Sequence, residues 1–285
     1  MYKKFIIASF IIILSVFSAV QAADIKNKFI NNLSEYLNNT LEQNFETVEV
    51  QLSSGTLNKV VGSILVVKPL FDDQENTLFT QGSIFLSDDS RETINLGIGK
   101  RKLINNDTLL LGANLFYDHE IDYNHQRASI GIEAISSVGS FRANQYYGLS
   151  GWKEGLDSVK EKALYGNDVV IGAPLPYLPW TNFYLRSFNW EGANGSTDLK
   201  GDEMSLEAKF SGFNIEVGKR SNDGITEDNE FLRLTWTCCN NKQEKIGISD
   251  KAYNLTSVAD QRFVKVRRQN LIVKQKEMDL TVIGF

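Results

Sequence analysis

The stretch LGANLFYDHEIDYNHQRASIGIEA, Leu111 to Ala134, decides the fold, because its two arms alternate and their faces pose a solvent problem. In the second arm Ala128, Ile130, Ile132 and Ala134 share one side, and Arg127, Ser129, Gly131 and Glu133 share the other. Side chains of a strand alternate between faces, so each set is coplanar. A hairpin of a soluble protein would bury the first set and wet the second. A strand of a membrane barrel would turn the first set to lipid and the second to a polar lumen.

The surrounding chain carries the same pattern. From about Glu46 to Thr237 the hydrophobic period is two. RETINLGIGKRKLI sets Ile94, Leu96 and Ile98 against Thr93, Asn95, Gly97 and Gly99. SFRANQYYGLS sets Phe141, Ala143 and Tyr147 against Arg142, Asn144, Tyr146 and Gly148. EMSLEAKFSGFNIEVGKR reads as a hairpin around Gly212, and EFLRLTWT places Leu232, Leu234 and Trp236 opposite Arg233, Thr235 and Thr237. About a dozen such segments alternate with polar loops such as SDDS and SNDGITEDN, which is the signature of an outer-membrane barrel. The polar face carries both charge signs, and Gly97, Gly99, Gly112, Gly131, Gly148, Gly172 and Gly218 all fall on it. Glycine weakens an exposed strand but suits a crowded interior where other chain comes close. Tyr117, Tyr147 and Trp236 stand near strand ends on the apolar face, as an interfacial girdle requires. Ile130, Ile132, Leu232, Leu234 and Trp236 are the predicted lipid-facing residues. A substitution follows from this: Ile132→Arg should be costly, whereas Ser129→Arg on the lumen face should be tolerated better.

The N-terminus reads as an export signal. Lys3 and Lys4 precede an apolar run ending at Val20 and Ala22, which suit a signal-peptidase site, so residues 1–22 are assigned to a Sec-type signal peptide. Ile25, Phe29, Leu33, Leu37, Leu41 and Phe45 then recur every fourth residue behind Asp24, predicting a periplasmic or plug helix over 23–45. After the signal no apolar run is long enough for a membrane-spanning helix, so membrane residence must come from strands. The predicted fold is therefore all-β: an antiparallel transmembrane outer-membrane barrel of about 12 strands over 46–240, with a short N-terminal helix.

Composition excludes several classes. A net charge of −5 leaves no nucleic-acid footprint, and two adjacent cysteines, Cys238 and Cys239, are no disulfide scaffold. His119, Glu120, Asp122 and His125 could be drawn as a metal site, but their spacing is not that of a helix-borne pair and an exposed acidic turn is the simpler reading. His125 with Ser129 lacks a nucleophile elbow, and GIGKR lacks the third glycine of a dinucleotide loop. No catalytic residue, cofactor or metal ligand is assigned.

The motifs together resemble the translocator domain of inverse autotransporters, the intimin and invasin family. The matching residues are PLFDDQENTLFTQGSIFLSDDSRETINLGIGKRKL, the opening hairpin, FRANQYYGLSGWKEG, YGNDVVIGAPLPYLPWTNFYLRSFNWEG and the tail ADQRFVKVRRQNLIVKQK. The resemblance implies a twelve-stranded barrel, a helix before it, and a post-barrel linker occupying the lumen. It also implies periplasmic chaperones and the barrel-assembly machinery as partners, beside outer-membrane lipids, and an extracellular adhesive passenger. No immunoglobulin-like repeats follow the linker before Phe285, so the expectation is a barrel without a passenger in this chain, with a separately encoded passenger or periplasmic partner as an alternative.

The tail sharpens this. From Asp260 to Glu277 it holds Arg262, Lys265, Arg267, Arg268, Lys274 and Lys276 against two acids. Residues 241–285 are accordingly read as a lumen-threading linker, with Arg262, Lys265, Arg267 and Arg268 facing the lumen acids Glu133, Glu203, Glu207 and Glu216. The competing reading makes MDLTVIGF, with its terminal Phe285, the closing strand; the cleaner alternation of EFLRLTWT favours that segment instead. The function expected is a non-catalytic surface anchor and translocator in a Gram-negative outer membrane. The alternatives are a small porin-like solute channel and a barrel enzyme acting on lipids or peptides.

Overall fold

A computed structural model describes residues 45–55, 60–87, 89–223, 228–238, 246–277 and 282–283. The signal segment, the predicted helix as far as Asn44, and Cys239 lie outside the described residues. Twelve strands close into one antiparallel barrel. In chain order they begin with β1 (Thr47–Gly55), β2 (Val60–Asp72), β3 (Asn76–Leu86), β4 (Glu92–Ile104), β5 (Leu109–Glu120), β6 (Gln126–Ser136) and β7 (Gly139–Gly148). Two short strands follow, β8 (Lys153–Glu154) and β9 (Lys160–Ala163). The barrel resumes with β10 (Gly166–Leu175), β11 (Leu178–Trp190), β12 (Leu199–Phe210), β13 (Phe213–Asn222) and β14 (Asn229–Cys238). Closure is made by β14 on β1, from Val48 opposite Cys238 to Gly55 opposite Phe231. The EFLRLTWT segment is thus the closing strand. Among the described residues the C-terminal segment supplies β15 (Lys274–Lys276) and β16 (Val282–Ile283), which join β8 and β9 in a small separate sheet.

The two ends differ. Short turns at 73–75, 105–108, 137–138, 176–177 and 211–212 gather at the end where β1 starts and β14 stops, the short-turn end. Longer loops, including 149–165 and 191–198, gather at the other, the long-loop end. Pro69 and Pro174 sit at register shifts near the short-turn end, where a residue without an N–H is tolerated.

The faces answer the question posed by the opening hairpin. Along β6 the inward residues Arg127, Ser129, Gly131 and Glu133 are buried, while Ile130 and Ile132 are 49% and 57% exposed. Leu96, Leu115, Ile171, Met204, Val217 and Leu232 continue the exposed apolar belt, and Leu234 and Trp236 are half-buried on the same face. An apolar outside around a charged inside is the inverse of a soluble core, and only hydrocarbon satisfies it. Tyr147 and Tyr165 meet edge-on at one rim with Tyr117 nearby, and Trp236 lies toward the other.

Glycine marks the crowding of the interior. A Cβ on Gly131 would lie 2.4 Å from the Asn144 side chain, and one on Gly97 would lie 2.3 Å from the Phe116 ring. The same crowding revises one expectation: Ser129 is 1% exposed and accepts a 2.9 Å hydrogen bond from Arg268, so an arginine there has no space. Ile132→Arg remains a membrane-face test. It is expected to lower barrel stability by about 2–4 kcal/mol, read as a shift of the urea midpoint at which gel heat-modifiability is lost. An unshifted midpoint would remove lipid from that face.

Candidate functional site: the charged lumen and the tail within it

From residue 246 the chain follows the short-turn rim. Ser249 N–H donates to Tyr177 O, Trp180 Nε1 to Gly247 O, and Thr256 N–H to the Ser137 hydroxyl. From Val258, whose N–H donates to Asp107 O, it runs along inward-facing wall residues to the long-loop end. There Lys274 to Lys276 pair with β9.

An extended segment without strand partners must satisfy its backbone otherwise. Here wall side chains do so. Arg101 donates to the carbonyls of Arg262 (2.8 Å) and Val264 (2.7 Å), and Thr47 to that of Phe263 (2.8 Å). Arg127 reaches the carbonyls of Gln269 (2.6 Å) and Leu271 (3.0 Å), and Asn95 that of Asn270 (3.0 Å). In return the Val266 N–H donates to Gln81 and the Gln269 N–H to the Tyr146 hydroxyl, at 2.8 and 2.7 Å.

Apolar contacts fasten the segment at three heights. Val258 packs with Leu103, Leu110 and Ile135; Val266 with Leu65, Val67, Phe79 and Phe116; Val273 with Tyr146, Leu164, Phe188 and Trp190. The charge reading had no signal for these anchors beyond the valines themselves, which stand between the basic residues.

Five basic tail residues each meet an acid of the wall, Lys274 among them at Glu120 of β5. Arg262 pairs with Asp72 at 2.9 Å, Lys265 with Glu49 at 2.6 Å, and Arg267 with Glu216 while lying over the Tyr184 ring. Arg268 makes a two-pronged contact with Asp118, 2.8 and 2.7 Å, and lies over Phe116. Asp118 also accepts from Arg127 at 2.8 Å, and none of the three side chains is solvent-exposed. Of the four acids singled out from sequence, only Glu216 touches the tail. Glu133 is held by Arg101 at 2.6 Å, and Glu203 by Arg220 at 2.6 Å with Arg186 and Arg233 close by. Glu207 accepts from the Tyr184 hydroxyl at 3.0 Å. Asp72, Asp118 and Glu49 escaped the sequence reading because only the depth of threading decides which acid meets which base.

The long-loop end corrects the picture of a solvated acidic turn. His119 turns outward and stacks near Tyr117, and exposed Asp122 accepts the Glu92 N–H at 2.7 Å. Glu120 and His125 point inward and are buried, joined by Glu161 of β9. Arg91 grips Glu161 at 2.6 and 2.9 Å, and Lys274 of the tail contacts Glu120 and lies 3.8 Å from Glu161. Burial pushes the His125 imidazole down to about 4, with the Lys274 charge acting in the same direction, so the ring is neutral at neutral pH. Burial opposes ionisation of Glu161, but the Arg91 hydrogen bond and the Lys274 and Arg91 charges outweigh it and hold the carboxyl below its usual range.

A closed twelve-strand barrel with an apolar exterior and a charged, occupied interior is the architecture of an outer-membrane β-barrel. The family described as the inverse autotransporter β-domain matches residues 15–270, and the chain belongs to it. It is 34% identical over 119 residues to an attaching and effacing protein homolog of Escherichia coli strain K12, covering 41% of this chain and 40% of that protein. It is 30% identical to the invasin of Yersinia enterocolitica over 126 residues, 44% of this chain and 15% of the invasin. The inverse autotransporter adhesin YeeJ of E. coli K12 is 27% identical over 226 residues, 74% of this chain and 10% of YeeJ. The chain thus spans well under half the length of these relatives. A solved structure from a study of in-meso crystallization of membrane proteins aligns with 82% of this chain and all of its own, at TM-score 0.70 and 22% identity, which shows the shared fold. The protein is an outer-membrane β-barrel of inverse autotransporter type, a surface-anchoring barrel in a lipid environment.

Proposed function

We propose that residues 46–240 form the anchor and that residues 241–285 thread it as a linker, entering from the periplasm and carrying whatever is attached to them to the cell surface. The observation that supports this is the run of tail contacts from Asp107 at the short-turn end to β9 at the long-loop end. Barrels of this kind keep short turns in the periplasm and long loops outside. Residues 1–22 act as a Sec-type signal peptide that is cleaved, and residues 23–45 as a helix on the periplasmic side or in the plug. Periplasmic chaperones and the barrel-assembly machinery insert the chain. Adhesion, which the names of the invasin and adhesin relatives express, belongs to an extracellular passenger, attached to this barrel or encoded separately.

In this reading the tail residues Arg262, Lys265, Arg267 and Arg268 are the plug's fasteners, and the barrel is neither a pore nor an enzyme. Glu133, Glu203 and Glu216 support the non-catalytic reading, because each is taken up in an ion pair with a guanidinium group.

Direction of threading is testable in intact cells. An epitope inserted after Glu277 is expected to bind an impermeant antibody on unbroken cells, whereas the same epitope at Ser211–Gly212 is expected to need outer-membrane permeabilisation. Reversed accessibility, or an epitope after Glu277 hidden in intact cells, would overturn the proposal.

A further inference from the structure

We propose that Glu120, His125 and Glu161 form, beside Arg91, a slot for one further cation, filled by the Lys274 ammonium when the tail is threaded and by a borderline divalent ion such as Zn2+ when Lys274 is withdrawn. The inference rests on the threaded-tail reading above.

The slot is built rather than incidental. All three side chains are at most 2% exposed, and one potential ligand atom from each lies within 4.8 Å of the others. The His125 Nε2 has no hydrogen-bond partner and faces Glu161 Oε2 at 3.7 Å, and Glu120 Oε1 also lacks one. Nδ1 is 3.1 Å from the Ser150 hydroxyl, whose oxygen also accepts the Gln126 N–H at 3.2 Å. When Nδ1–H donates to Ser150, the Nε2 lone pair points into the slot, the arrangement in which histidine ligates metals. A buried lone pair beside two carboxylates is repulsive unless a cation sits among them. Arg91, on Glu161 and 3.5 Å from Glu120 Oε1, supplies part of that positive charge, and Lys274 supplies the rest.

Two carboxylates and an imidazole suit zinc, whose ligand atoms stand about 2 Å from the ion. The 4.8 Å spread must contract for all three to reach one ion. Arg91 can stay on Glu161, as hydrogen-bonded outer partners of ligating carboxylates do. The ammonium and a divalent ion exclude each other, because both need the carboxylates of Glu120 and Glu161. Metal and tail therefore compete for the long-loop end.

The test uses the full chain in detergent, with ZnCl2 titrated by calorimetry and Co2+ absorption as a ligand-field probe. Lys274→Met is expected to bind one Zn2+ per chain at least about tenfold more tightly than the native chain. The added change His125→Ala is expected to abolish both the heat signal and the Co2+ bands. In the native chain, excess Zn2+ is expected to speed amide exchange at Val273–Glu277. Gel heat-modifiability reports that each barrel is folded, and Lys274→Gln serves if the Met variant is not. Binding by Lys274→Met no tighter than native, or binding that survives loss of His125, would overturn the slot. The Glu277 epitope reports threading separately, so a hidden epitope marks failure of that reading instead.

Discussion

Deletion of Asp260–Phe285 is expected to turn a barrel with no resolvable unitary current into one with discrete open-channel steps in planar bilayers. The wall closes through β14 on β1 without help from the deleted residues. What the deletion removes is Val266, Val273 and the tail bases Arg262, Lys265, Arg267, Arg268 and Lys274 that pair with wall acids. One cavity between tail and wall, about 160 Å3, is lined by Glu49, Glu203, Glu216, Arg220 and Arg233, another of about 310 Å3 lies beside Arg142, Tyr184 and Gln261, and water would extend both along the vacated path. Arg267→Glu with Arg268→Glu is expected to raise conductance only partway. The new carboxylates would face Glu216 and Asp118 and loosen the segment, while the valine anchors and the Arg101 and Arg127 contacts remain. A deleted chain that fails to insert would return the closing role to the C-terminal segment. Unchanged conductance would mean the tail does not fill the pore.

Asp118→Asn is the point change with the largest expected effect. The carboxylate is shared by Arg127 and Arg268, accepts a further 2.7 Å bond from Asn95, and none of the charged trio reaches water. Removing one charge strands two buried guanidinium groups, and breaking a buried pair this way costs about 3–5 kcal/mol. The system has an escape: releasing the tail lets Arg268 leave. The expected result is therefore a tail that becomes protease-sensitive and a barrel that begins to conduct, at a urea concentration well below the unfolding midpoint. Arg268→Met should be milder, because Arg127 keeps its partner and the methionine packs on Phe116. An Asp118→Asn protein whose tail stays protected to within about 0.5 kcal/mol of the native chain would show that the trio holds nothing.

The period-two pattern was enough to assign faces. Ile130 and Ile132 against Arg127 and Glu133 had one consistent solvent arrangement, and an even count of about a dozen such segments led to a closed barrel. Its reliability has a simple cause: in a strand the face of a residue follows from its parity, which is local information. The glycines of the lumen face were legible for the same reason, although their neighbours were not. Gly131 could be placed inside, but that Asn144 and Asn114 crowd it depends on the register of three strands.

The pairing of charges was settled by tertiary structure. The basic tail was recognisable, yet Glu133, Glu203 and Glu207 proved to belong to wall residues, and the tail drew instead on Asp72, Asp118, Glu49 and Glu120. A charge contact depends on distances of a few ångströms between residues separated by as many as 216 positions, as for Lys265 and Glu49. Those distances are fixed by strand stagger around the barrel and by how far the tail has advanced along it. The same holds for the turn at His119–His125. Its acids and histidines were visible as a cluster, but strand parity sent His119 outward, and a residue from another loop, Glu161, completed the buried group. Sequence by itself determined which way each strand residue faces; which inward residues meet, and what lies between them, was decided only when the barrel closed around the tail.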